Sequence, residues 1–197
     1  MEILGKSLIG FRDSTSTGAP FNAWNPATGE KIVPAFSSAS PEDVGRAAEL
    51  ANDAFSVYSR LPGSERASFL NRIASRIESI TDLLVARAHA ETALPEPRLK
   101  SETARTCNQL RLFASVVEEG SWVCARIDHG DPQRKPLPKP DVRSMLFPLG
   151  PVVVFGASNF PLAFSVAGGD PASALAAGNP AIVKGRASCA GACRRRS

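Results

Sequence analysis

No net charge distinguishes residues 1–184. All 19 acidic side chains of the chain fall there, balanced by Lys and Arg, and the formal +4 sits in Arg186, Arg194, Arg195 and Arg196. A nucleic-acid surface is a basic patch on a folded face, so no nucleic-acid partner is expected. Cysteine is sparse too. Cys107, Cys124, Cys189 and Cys193 make no disulfide framework, and Cys189-x3-Cys193 has no second pair or nearby histidine to complete a metal set. A reducing cytoplasm and no metal are the expectation, with Cys107 a small core residue on a helix. The opening MEILGKSLIGFR lacks a long apolar run, so no secretory leader is expected. Residues 144–169 carry no charge, yet Pro148, Gly150, Pro151, Gly156, Asn159 and Pro161 interrupt them. A spanning helix with those breaks leaves backbone groups unpaired in lipid, so a buried strand followed by a loop is expected and no membrane partner. Internal repeats, heptads, a GxGxxG loop and a P-loop are all missing.

What is present is an ordinary globular composition, 43% hydrophobic. The first 35 residues read as short extended pieces. Asn25-Pro26-Ala27-Thr28-Gly29 is a turn, and Phe21, Trp24, Ile32 and Val33 flank it as a hairpin. Ser40 caps a first helix with Pro41, Glu42 and Asp43 in its first turn, and Val44, Ala47, Ala48, Ala51 and Phe55 on one face. Ser64 is read as the cap of a second helix with Phe69, Leu70, Ile73, Ile77 and Ile80 inward. A third covers residues 83–92, broken by Pro95 and Pro97. A fourth covers residues 98–119, with Leu99, Leu110, Phe113 and Val117 inward and Gly120 as terminator. Ile127-Asp128-His129-Gly130 reads as strand into turn, with His129 a surface residue. Pro132, Pro136, Pro138 and Pro140 make a stiff exposed connector, and residues 143–147 a further strand.

Residues 147–184 order a strand, a polar loop, a small-residue helix and a second strand. Val152-Val153-Val154-Phe155 predicts a strand buried on both faces. Gly156-Ala157-Ser158-Asn159-Phe160-Pro161 follows it, at the carboxyl edge where open α/β sheets bind ligands. The Asn159 amide either donates to a developing oxyanion or stabilises its own loop. Asp170 is read as the cap of a helix with Pro171 in its first turn, ended by Gly178-Asn179-Pro180. Lys184 closes the second strand at the same edge as Asn159. It either bonds ribose hydroxyls or a phosphate, or is a solvated strand-end charge.

These residues resemble the aldehyde dehydrogenase superfamily. The resemblance is carried by Asn25-Pro26-Ala27-Thr28-Gly29-Glu30, Ser40-Pro41-Glu42-Asp43-Val44, Glu65-Arg66-Ala67, Glu91-Thr92, Pro148-Leu149-Gly150-Pro151-Val152, Asn159-Phe160-Pro161, Ala174-Leu175-Ala176-Ala177-Gly178-Asn179 and Val183-Lys184. The wording around Phe155-Gly156-Ala157-Ser158-Asn159, with Ala167-Gly168-Gly169-Asp170, looks most like the α-ketoglutaric semialdehyde dehydrogenase branch. The resemblance implies an α/β fold, incomplete here. It comprises an α-rich first part, a β excursion for oligomerisation at residues 121–146, and the start of a Rossmann-like parallel sheet. Residues 1–184 are then the N-terminal part of a cofactor-binding domain. The implied activity is oxidation of a small-molecule aldehyde with NAD or NADP, 2,5-dioxopentanoate to 2-oxoglutarate, by a homo-oligomer. A cysteine attacks the aldehyde, and water activated by a glutamate releases the acid. Asn159 matches the oxyanion-hole asparagine. Lys184 matches the lysine that holds the adenosine ribose. Ser158 stands where many members carry Trp, in a loop that lies along the cofactor.

The sequence departs from the family in two places. Ala93-Leu94-Pro95 replaces a common Gly-Lys-Pro. Residues 185–197, GRASCAGACRRRS, read as an aberrant Arg- and Cys-rich tail, the product of a frame change or a sequencing error. The family's nicotinamide loop, glutamate and nucleophilic cysteine lie beyond that point, and none of the four cysteines matches the nucleophile's motif. The expectation is an inactive fragment with an open sheet edge. The alternative is a non-catalytic nucleotide-binding or subunit-interaction fragment.

Overall fold

The computed structural model describes residues 3–15 and 18–185. Met1, Glu2 and the tail expectation, with Cys189, Cys193 and its four arginines, lie outside the described residues. Local chemistry forms the first elements. β1 (Leu8–Ile9) and β2 (Arg12–Asp13) are a short antiparallel pair, and β3 (Pro20–Trp24) and β4 (Lys31–Ser37) form the expected hairpin. Its turn is held by the Asn25 side-chain oxygen, which accepts the Ala27 N–H at 2.9 Å, and by the Gly29 N–H donated to the Asn25 carbonyl at 2.7 Å. The register places Ala23 opposite Ile32 and Trp24 opposite Lys31.

Helix α1 (Pro41–Tyr58) starts with a reciprocal capping box. Ser40 Oγ accepts the Asp43 N–H and the Asp43 carboxylate accepts the Ser40 N–H, each at 3.2 Å. Ser14 Oγ also donates to that carboxylate at 2.6 Å, tying the N-terminal strands to the helix. Only Ala51 of the expected inner face is buried; Val44 is 62% exposed. Amphipathic spacing marks which residues share a face, but burial needs a partner over that face. Helix α2 (Gly63–Ser79) follows. Its N-cap is Pro62, with no side-chain cap, so Ser64 lies inside the first turn rather than capping it.

Helix α3 (Thr81–Thr92) ends at Ala93, which adopts the left-handed conformation. Helix α4 (Glu96–Glu119) starts two residues before the expected Arg98, because Pro97 fits the first turn, where its missing N–H costs nothing. α4 ends at Gly120, as read.

Beyond α4, β5 (Arg126–Asp128) pairs antiparallel with β6 (Val142–Ser144), and every residue of the pair is exposed. The second strand is therefore earlier and shorter than the expected 143–147. The proline-rich connector closes on itself through a bridge between Asp131 and Lys139. His129 is exposed just after β5, with Nδ1 4.0 Å from the Asp141 carboxylate. No helix among the described residues is long and apolar enough to cross a membrane.

β7 (Val152–Phe155), α5 (Gly169–Ala176) and β8 (Ala181–Lys184) form a βαβ unit in which β7 and β8 run parallel, Val152 opposite Ala181 and Phe155 opposite Lys184. β7 is not buried on both faces. Val154 is buried, but Val153 is 54% and Phe155 73% exposed, because α5 covers only one side among the described residues. Asp170 is not the cap of α5; the cap is Gly168, in extended conformation, and Asp170 lies in the first turn. A side chain at residue 168 would meet the Ala163 carbonyl at 2.4 Å, so close approach selects glycine there.

The core is set by small residues facing leucines. Ala67, Leu70 and Ala74 of α2 pack against Cys107, Leu110, Ala114 and Val117 of α4, and Ala172 and Ala176 of α5 close the cluster. Two side chains from the helical layer then hold the end of α5. Tyr58 Oη donates to the Leu175 carbonyl, and Arg66 Nη1 donates to the Ala176 carbonyl, each at 2.9 Å. These are among the carbonyls a helix end leaves without internal partners. Gly178, at φ 94°, turns the chain into β8, and a Cβ there would lie 2.8 Å from Arg66.

The Tyr58 contact makes a testable pH signature. Burial pushes the phenol from its ordinary value near 10 up to about 12, against the opposing positive charge of Arg66. The unfolded chain ionises Tyr58 first, so this contribution to stability is intact below about pH 10 and is lost between about 10 and about 12. Tyr58 is the chain's one tyrosine. Phenolate absorbance is therefore expected to appear near pH 12 in the folded chain, and Tyr58→Phe to flatten the alkaline fall in stability. A phenolate midpoint near 10 in folded protein counts against the buried contact.

Candidate functional site

The carboxyl ends of β7 and β8 meet. Phe155 is paired with Lys184, and the Gly156 N–H donates to the Lys184 carbonyl at 3.2 Å, so the loop of residues 156–168 leaves the sheet beside Lys184. The loop closes on itself. The Ala157 N–H donates to the Phe164 carbonyl at 2.8 Å, and the Phe164 N–H to the Phe160 carbonyl at 3.0 Å. The Phe160 and Phe164 rings meet edge to face at 5.3 Å between centroids. Ser158 is half-buried; Asn159 and Lys184 are exposed. Asn159 enters the hydrogen-bond network of the loop through its backbone, whose carbonyl accepts from Arg98 Nη2 at 2.7 Å. Lys184 forms no ion pair with a described residue. The topology thus brings the three sequence-predicted positions, Ser158, Asn159 and Lys184, to one sheet edge.

Sequence reasoning missed what holds that loop. Arg98, Glu102 and Thr106 lie four apart on α4 and face it together. Arg98 Nε donates to Glu102 Oε1 at 3.1 Å, Glu102 Oε2 accepts the Leu162 N–H at 3.1 Å, and Thr106 Oγ1 donates to the Leu162 carbonyl at 2.7 Å. Arg98 also lies over the Phe160 ring at 5.1 Å, and Arg105 over Phe164 at 5.5 Å. Glu102 is only 4% exposed. The sequence carried a sign of this: Glu102 falls three residues after inward Leu99, a charged residue on a buried stripe, and buried charges need partners. A second missed residue is buried Asn179, whose side-chain oxygen accepts the Gly150 N–H at 3.0 Å and fixes the approach to β7.

The described cysteines sit elsewhere. Cys107 is buried in the α2–α4 core, with its thiol 3.6 Å from the Ala74 carbonyl. Burial pushes that thiol up, and the Glu78 charge adds to the effect, so it is held away from the nucleophilic thiolate form. Cys124 is exposed, just before β5.

The profile of the aldehyde dehydrogenase family matches residues 11–193. The chain belongs to the aldehyde dehydrogenase family. It is 54% identical over 185 residues to α-ketoglutaric semialdehyde dehydrogenase 2 of Azospirillum brasilense, a match covering 93% of this chain and 35% of that relative. It is 49% identical over 149 residues to the α-ketoglutaric semialdehyde dehydrogenase of Acinetobacter baylyi, covering 76% of this chain and 28% of the relative. Among solved structures, it is similar to a benzaldehyde dehydrogenase from Corynebacterium glutamicum described as NAD-dependent. That likeness has a TM-score of 0.72 at 25% identity, over 91% of this chain and 37% of the other. The chain spans about a third of the length of the curated relatives it matches. The mixed helix-and-strand architecture described above is the corresponding part of the aldehyde dehydrogenase fold, as the sequence resemblance implied.

Proposed function

We propose that this chain forms one wall of the cofactor and oxyanion site of an enzyme that oxidises 2,5-dioxopentanoate to 2-oxoglutarate with NAD or NADP. The observation that carries the reading is the shared sheet edge: Lys184 ends β8 beside the loop that bears Asn159. Neither side chain is spent on the scaffold in the contacts described above. An exposed lysine without a described ion-pair partner suits ribose hydroxyls or a phosphate, so the residues present fit a nicotinamide dinucleotide. When bound, that group supplies a hydride acceptor. Lys184 holds the adenosine end and the half-buried Ser158 lines the loop beside it. Asn159 points an amide donor at the aldehyde oxygen as it gains charge. The nucleophile and the water-activating carboxylate are not assigned to any described residue. Residues 121–146, with Ile127 and Val142 exposed on β5 and β6, are proposed as contacts to a second copy of the chain. The cysteine content fits a reducing cytoplasm.

The test is a chimera in which residues 1–185 replace the matching third of a complete α-ketoglutaric semialdehyde dehydrogenase. The chimera is expected to reduce NAD or NADP on addition of 2,5-dioxopentanoate, while the isolated chain turns over no aldehyde. A folded chimera that binds the dinucleotide and leaves the substrate unoxidised counts against the reading. So does turnover that copurifies with the isolated chain, since no described cysteine is placed for attack.

A further inference from the structure

We propose that Arg98, Glu102 and Thr106 of α4 form a positioning clamp that sets the loop bearing Asn159, so that a triad on the helical layer governs the oxyanion donor. The inference rests on the proposed role of Asn159; the clamp itself rests on geometry alone. The backbone of Leu162 is gripped on both sides of its Cα: its N–H is donated to Glu102 Oε2 at 3.1 Å and its carbonyl accepts from Thr106 Oγ1 at 2.7 Å. Three residues upstream, the Asn159 carbonyl is fixed by Arg98 Nη2 at 2.7 Å, and the same guanidinium is oriented by Glu102 Oε1 at 3.1 Å. One carboxylate therefore holds the loop directly at Leu162 and indirectly at Asn159.

Burial makes the arrangement costly to leave incomplete. Glu102 is nearly enclosed, so its charge is compensated by Arg98 and the Leu162 amide rather than by water. Leu162 itself packs on Val85, Ala88 and Leu99, an apolar cluster separate from the main core. The Asn159 side chain is left outside the clamp's hydrogen bonds. That division suits a donor whose backbone must be rigid while its amide faces a ligand. None of the three α4 residues reaches the proposed reacting atoms in these contacts; they act through the loop, which makes them positioning residues.

The experiment is NMR of the 15N-labelled 197-residue chain, reading the exchange rate of the Leu162 amide and the Asn159 side-chain NH2 signals. Glu102→Ala is expected to accelerate Leu162 exchange by about tenfold or more and to move the Asn159 pair toward the position of a mobile amide, while the Leu110 amide in the main core keeps its rate. Glu102→Gln retains an oxygen acceptor and is expected to restore Leu162 protection to within about threefold. Unchanged Leu162 exchange in folded Glu102→Ala overturns the clamp, as does acceleration shared equally by Leu110, which is the mark of general destabilisation. Should Glu102→Ala fail to fold, Thr106→Val removes only the donor to the Leu162 carbonyl. Faster loop exchange then supports the clamp, and an unchanged rate overturns it. Titration with NAD+ separates this result from the functional reading. Clamp signatures in a chain that binds no dinucleotide support the clamp and overturn the cofactor assignment. Dinucleotide binding without those signatures overturns the clamp alone.

Discussion

Asn159→Ala is expected to lower kcat of the chimera by about 10²- to 10³-fold, a loss of roughly 3–4 kcal/mol of transition-state stabilisation. KM and thermal stability are expected to change little. The substitution leaves every contact described for residue 159 in place, because Arg98 grips the backbone carbonyl, which alanine retains. What disappears is the amide donor at the sheet edge. Asn159→Asp is expected to be at least as damaging. It keeps the shape but sets a negative charge where an oxyanion would develop, and like charges at short range repel. The alternative for this residue, a loop-stabilising asparagine, predicts the opposite pattern: a lower Tm with kcat preserved. Steady-state kinetics and a melting curve on the same variant decide between the two.

Leu70→Ala is expected to cost about 3–5 kcal/mol, a large share of the roughly 5–15 kcal/mol available to a folded domain. Leu70 is 0% exposed and packs in the cluster that α2, α4 and α5 share. Five alanines and Cys107 share the buried cluster with it, short side chains on rigid helices that have little reach to refill a void. Leu70→Met, which preserves volume, is expected to cost less than about 1.5 kcal/mol. Val44→Ala is the contrasting control. Helical spacing assigns Val44 to an inner face just as it does Leu70, yet Val44 is 62% exposed, and its truncation is expected to stay within about 0.5 kcal/mol. Urea unfolding of the three variants measures all of this. Equal losses at Leu70 and Val44 would mean that the burial described for α1 is wrong.

Those two positions show where the sequence was legible and where it was not. Signals confined to a few neighbouring residues read correctly. The Asn25 to Gly29 turn, the Ser40–Asp43 capping box and the Gly120 stop are local chemistry, and each is present. Signals that depend on what packs opposite did not. Val44, Val153 and Phe155 lie on faces that no described element covers. Two caps were misread for a related reason. Ser64 and Asp170 are competent capping residues, but the chain turns earlier, at Pro62 and at Gly168, where close approach to the Ala163 carbonyl admits only glycine.

Strand order and loop composition were enough to bring Asn159 and Lys184 to one sheet edge, while Ser158 was singled out only through the family resemblance. The clamp on α4 was not foreseen, since Arg98 and Asn159 are 61 residues apart and nothing local couples them. The buried-stripe position of Glu102 was its one sequence-level trace.

The proposed function stands on the β7–β8 edge being a dinucleotide-binding surface. The most direct measurement is an NMR titration of the 15N-labelled chain with NAD+ and, separately, NADP+. Shifts are expected at residues 156–160 and 181–185, saturating at about millimolar ligand or below, and weakened about tenfold by Lys184→Ala, which removes a charge-assisted contact. Absence of shifts at that edge with both dinucleotides, or shifts there that Lys184→Ala leaves unchanged, would contradict it.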